Sequence, residues 1–139
     1  MGQAKSVLVI DDEPKTTTYF TTLLADNGFE AQAATSADEG LRALAARRPD
    51  LIVLDLVMPL VTGVNLFNKI KKDARYRDVP IVIVTGIHEE FAEDHEAFFR
   101  NLKRRRPAAY LEKPVDPSLL IQTVKHALGM DGESPSKPI

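Results

Sequence analysis

Three short stretches of this chain are apolar at every position: Val7-Leu8-Val9-Ile10, Leu51-Ile52-Val53-Leu54 and Ile81-Val82-Ile83-Val84. Each is rich in β-branched residues and none alternates with polar ones. That is the pattern of strands buried on both faces of a parallel sheet. Two weaker strands are expected over 29–34 and 108–112. Between the strands the spacing turns helical. Phe20, Leu23 and Leu24 share a face in a segment that opens near Pro14 and stops at Asn27-Gly28. Ser36-Ala37-Asp38-Glu39 has the form of a capping box ahead of Leu41, Leu44 and Ala45. Leu66, Phe67 and Ile70 mark a third helix, and Phe91, His95, Phe98, Phe99 and Leu102 a fourth. Asp116-Pro117 joins an N-cap to a proline at the first helical position and leads into Leu120, Val124, Ala127 and Leu128. Strand and helix thus alternate five times. The expected fold is α/β: a single-domain, doubly wound, five-stranded parallel sheet of order 2-1-3-4-5 with five helices. Residues 1–129 should form the domain, and 130–139 have the composition of a flexible tail or linker.

Composition narrows the function. The chain has 139 residues, which fits one domain. Lys and Arg number 18 and Asp and Glu 20, a net charge of -2, which speaks against direct nucleic-acid binding through bulk charge. With no cysteine, thiolate chemistry, disulfides and Cys-zinc sites are excluded. No apolar run approaches the roughly 18 residues of a membrane span, and the N-terminal run is too short for a signal peptide. No membrane partner and a cytoplasmic location are expected.

In an open parallel sheet, ligands gather outside the carboxyl ends of the strands. Asp11, Asp12 and Glu13 follow the first strand and Asp55 the third; Thr85 and Gly86 follow the fourth and Lys113-Pro114 the fifth. The topology brings all of them to one edge. Clustered carboxylates repel one another, and a divalent cation relieves this; Mg²⁺ suits an all-oxygen set of one or two carboxylates completed by water. A lysine and a hydroxyl beside such a cluster suit a phosphoryl group, and a carboxylate held there is a competent acceptor. Taken singly, Asp11 and Asp12 could instead cap the first helix, and Lys113 could be solvated.

Together, Asp11-Asp12-Glu13, Asp55-Leu56-Val57-Met58-Pro59 with Gly63, Val84-Thr85-Gly86 and Tyr110-Leu111-Glu112-Lys113-Pro114 resemble the receiver domain of two-component response regulators, from about Ser6 to Gly129. That resemblance implies a flavodoxin-like fold and a phosphorylation-dependent switch, not an enzyme beyond assisting its own phosphorylation and slow autodephosphorylation. It makes Asp55 the acceptor of phosphate from a phosphohistidine. Asp11, Asp12, Asp55 and the backbone carbonyl of Val57 would hold Mg²⁺. Thr85 and Lys113 would contact the phosphoryl oxygens, and Tyr110 would be a switch residue following Thr85. Partners would be a sensor histidine kinase or a histidine phosphotransfer protein, with an effector domain or protein downstream. The chain would be a monomer or a weak, phosphorylation-promoted dimer. A cis peptide is expected at Lys113-Pro114.

Two other readings use the same residues. A haloacid-dehalogenase-like phosphatase also relies on a strand-end aspartate and Mg²⁺, but needs an acid two positions on, where this chain has Val57. A flavodoxin-like binding module needs a phosphate-cradling loop after the first strand, where Asp11-Asp12-Glu13 would repel a phosphate without a metal. The stretch between Thr85 and Lys113 is longer than receivers commonly have, with the excess in 87–106. That segment opens acidic and closes basic, the polarity that complements a helix dipole, and reads first as a solvated helix and second as a modified output surface. By the same resemblance, the side chains placed to orient a hydrolytic water are those two positions after the acceptor and two after the threonine; here they are Val57 and Ile87, which cannot hydrogen-bond water, so slow dephosphorylation is expected.

Overall fold

The computed structural model describes residues 4–56, 60–86 and 107–130. Five strands form one sheet: β1 (Ser6–Ile10), β2 (Glu30–Ala34), β3 (Leu51–Asp55), β4 (Ile81–Thr85) and β5 (Ala109–Glu112). All pairings are parallel and the order is β2-β1-β3-β4-β5, as the alternation of elements predicts. Four helices lie among the described residues: α1 (Pro14–Asp26), α2 (Ala37–Ala46), α3 (Leu60–Lys72) and α4 (Pro117–Ala127). The helix expected over 91–102, the long segment 87–106 and the tail beyond Met130 lie outside them.

The apolar runs work as two-sided strands. Val7 and Val9, Leu51 and Val53, and Val82 and Val84 meet Phe20 and Leu24 of α1 and Leu120, Ile121 and Val124 of α4 on one face. Leu8 and Ile10, Ile52 and Leu54, and Ile81 and Ile83 meet Ala43 and Leu44 of α2 and Leu66, Phe67 and Ile70 of α3 on the other. Successive residues of a strand point to opposite faces, so an apolar run without alternation fills two cores at once. The edge strand β2 (Glu-Ala-Gln-Ala-Ala) covers less and is largely exposed.

The helix ends follow their sequence signals. α1 starts with Pro14 and closes at Asn27, followed by Gly28 at φ +93, a left-handed position that suits glycine. At α2 the Glu39 N–H donates to Ser36 Oγ at 3.0 Å. The Glu39 carboxylate reaches back one residue further than in the usual capping box, accepting from the Thr35 N–H at 2.7 Å and the Thr35 hydroxyl at 3.1 Å. Asp116 caps α4 by accepting from the Leu119 N–H at 3.0 Å. At the amino ends of the strands, Asp50 ties β3 to β1: its carboxylate accepts from the Ser6 N–H at 2.8 Å, and its own N–H donates to the Ser6 carbonyl at 2.9 Å. The opposite edge of the sheet is where the polar residues collect.

Candidate functional site

Buried polar side chains among the described residues are few, and three of the five stand at the carboxyl ends of strands: Asp11, Asp55 and Thr85, exposed by 1%, 4% and 1%. Burying such groups is costly unless they are partnered. Sheet register supplies the neighbours. β1 lies beside β3, so Asp11 and Asp12 come next to Asp55, and carboxylate oxygens of the three all lie within 4.8 Å of one another. β4 follows, with Asp55 in register with Val84 and Thr85 one residue beyond. β5 completes the row: the Lys113 N–H donates to the Thr85 carbonyl at 2.9 Å, which fixes where the lysine leaves the sheet.

Lys113 carries the charge balance. Its Nζ donates to Asp11 Oδ2 at 3.1 Å and to Asp55 Oδ2 at 3.3 Å. Burial disfavours the ammonium, but the hydrogen bond to Asp11 and the charges of Asp55 and Asp11 outweigh it, and the lysine's pKa lies above its ordinary value. Asp11 Oδ1 is occupied separately, accepting from the Glu13 N–H at 2.9 Å. Asp12 is exposed. The two aspartates do not cap α1. Its N-cap is Glu13, which makes no side-chain capping bond.

Three carboxylates against one ammonium leave a negative, all-oxygen cluster, the donor set a hard divalent cation such as Mg²⁺ takes. The residues present therefore fit that ion. Val57, whose carbonyl was expected to contribute, lies outside the described residues. Lys113-Pro114 is cis, as expected. Tyr110 is 42% exposed on β5, in register with Ile83; burial, then the Glu112 charge, pushes its phenol pKa up.

Two features were not read from sequence. Gly63 sits so close to the end of β3 that a Cβ there would lie 2.8 Å from the Leu56 carbonyl oxygen and 2.9 Å from its Cα. A groove of about 690 Å³ also opens beside the acids, between the start of α1 and the β5–α4 connection, lined among others by Lys15, Thr16, Tyr19, Gly86, Lys113 and Pro114. The signal for its rim was present in the sequence as a lysine just after the helix-opening Pro14.

Comparison with known proteins agrees with this arrangement. The family model for the response regulator receiver domain matches residues 7–125. Protein PilH of Pseudomonas aeruginosa is 30% identical over 122 residues, covering 88% of this chain and 96% of that protein. The polar-differentiation response regulator DivK of Brucella anthropi is 28% identical over 125 residues, covering 90% and 97%. Among solved structures, a sensor protein from Polaromonas sp. JS666 superposes with a TM-score of 0.78 at 30% identity, covering 90% of this chain and 96% of that one.

Proposed function

The chain belongs to the response regulator receiver domain family of two-component signalling, and on that footing we propose that it is a phosphorylation-dependent switch whose acceptor is Asp55. The observation that carries this reading is the convergence of Asp11, Asp12 and Asp55 within 4.8 Å, with one lysine spanning two of them. Asp55 is the acceptor because it stands between the other groups, on the central strand β3 flanked by β1 and β4.

The donor is a phosphohistidine on a sensor histidine kinase or a phosphotransfer protein. Asp11, Asp12 and Asp55, with the carbonyl of Val57, would hold Mg²⁺, which when bound offsets the negative charge of the acids and of the incoming phosphoryl group. The protein's own groups do the rest. The strand end holds the Asp55 carboxylate in place for in-line attack, so its approach is paid for in folding rather than at the moment of reaction. Lys113 moves from Asp55 toward a phosphoryl oxygen while keeping its bond to Asp11. Thr85 donates its hydroxyl to another phosphoryl oxygen. That shift of Thr85 opens space into which the Tyr110 ring, half-exposed before phosphorylation, turns. The output is a change of the β5 face, read by an effector.

The test is incubation with Mg²⁺ and acetyl phosphate, followed by detection of a hydroxylamine-labile phosphoryl group. Labelling is expected on Asp55 and should vanish in Asp55→Asn. Labelling that persists in Asp55→Asn overturns the assignment.

A further inference from the structure

Lys15 stands in the first turn of α1, where a positive charge is opposed by the helix dipole. No acidic residue shares that turn, and Lys15 makes no ion pair among the described residues. Its place is therefore not explained by helix stability, and a local conflict of this kind points to function. Lys15 lines the groove that also holds Gly86, Lys113 and Pro114, and Lys113 is the residue that reaches the acids. A Cβ at Gly86 would lie 3.7 Å from both Cβ and Cδ of Lys113, so the glycine leaves that part of the groove clear.

Resting on Asp55 as the acceptor, we propose that Lys15 is a specificity-determining residue for the phosphoryl donor: it favours donors whose leaving group departs as an anion. Acyl phosphates are that class. An Asp55 carboxylate oxygen forms a bond to phosphorus as the bond from phosphorus to the acyl oxygen breaks, and the bonding pair leaves on the carboxylate. No proton is transferred. Negative charge grows on the departing oxygen in the transition state, and a cation beside its exit stabilises it there. Lys113 is taken up by Asp11 and, as it leaves Asp55, by a phosphoryl oxygen. Of the groove's two lysines, Lys15 is the one left to meet the departing group. A phosphoimidazole differs: the pair leaves on a ring nitrogen of an already protonated ring, and the imidazole departs neutral. Lys15 gains nothing from it.

The experiment compares Asp55 phosphorylation of the full chain by acetyl phosphate and by phosphoimidazole, in Mg²⁺, for the parent, Lys15→Ala and Lys15→Arg. A unit charge near the developing anion, in near-aqueous surroundings, is worth roughly threefold in rate. Lys15→Ala should therefore slow labelling by acetyl phosphate about threefold and leave the phosphoimidazole rate unchanged. Lys15→Arg should restore the acetyl phosphate rate. Salt should shrink the parent's preference, as screening requires. Lys15→Ala should melt no lower than the parent, because it removes a charge the dipole opposes. An unchanged ratio of the two rates, or an equal fall in both, overturns the proposal while leaving Asp55 as acceptor. Failure of both donors to label the parent, or labelling that persists in Asp55→Asn, removes Asp55 as acceptor, and this inference with it.

Discussion

Lys113 does at residue scale what a metal does at the scale of a site: it lets two buried carboxylates stand side by side. Removing it leaves Asp11 and Asp55 facing each other with no ammonium between them. Breaking a fully buried pair costs about 3–5 kcal/mol, and the partial exposure of the lysine lowers the expectation for Lys113→Ala to about 1–3 kcal/mol in chelator. Added Mg²⁺ should recover part of that loss, because ligand binding to the folded state stabilises it. Chemical denaturation with and without Mg²⁺ measures both. A Lys113→Ala protein as stable as the parent in chelator would show that the pairing contributes nothing. The pH dependence has a definite sign. The folded pKa of Lys113 is raised, so its contribution is complete below the unfolded lysine pKa and is lost only as pH rises through the higher folded value. Stability at neutral pH should not vary through this group. Asp11, Asp55 and Thr85 were legible in the sequence because each directly follows an apolar run, and Lys113 because it closes the weaker strand that ends at Glu112. The double hydrogen bond of Lys113 was not. It depends on how far β5 is offset along β4, which no local pattern encodes.

At the scale of elements, α3 comes close at Gly63 to the residue that follows β3. Replacing it with alanine would place a methyl group against the Leu56 backbone, which cannot swing aside as a side chain can. Gly63→Ala should destabilise the protein by about 1–3 kcal/mol through overpacking. The same displacement should move the end of β3 that carries Asp55, so phosphorylation should slow as well. Melting curves and Asp55 labelling of this variant check the two effects together; Gly40→Ala is the contrast. A Cβ at Gly40 meets side-chain atoms of Ile10, the nearest being Cδ1 at 2.9 Å, and no backbone within the three nearest contacts. Sequence marked Gly63 through its motif but could not show how near it comes to Leu56, since close approach is a property of packing. The central strands were easier to read: burial on both faces removes polar alternation altogether. β2 and β5 were the weak signals for the opposite reason. They are the edges of the sheet, and their side chains are only partly covered.

For the whole molecule, sheet order decides how far apart in the chain the site's members stand. The Lys113–Asp11 bond joins residues 102 apart, whereas the β1–β2 pairing that receives the Asp11 N–H on the Ala34 carbonyl is local by comparison. Closing a long loop costs entropy that must be met before its contacts return anything. Refolding should therefore bring the carboxylates together through β1 and β3 before β5 delivers the lysine. Pulse-labelling hydrogen exchange can follow this: the amides of the β1–β3 ladder should gain protection first and the Lys113 amide, bonded to the Thr85 carbonyl, afterwards. Simultaneous protection of the two would contradict that order. In the interval between them, the half-built protein carries an acidic nest with no internal cation. A chain of this design is then most dependent on its ionic surroundings not when it signals but while it is being born, and divalent salt should shorten that interval.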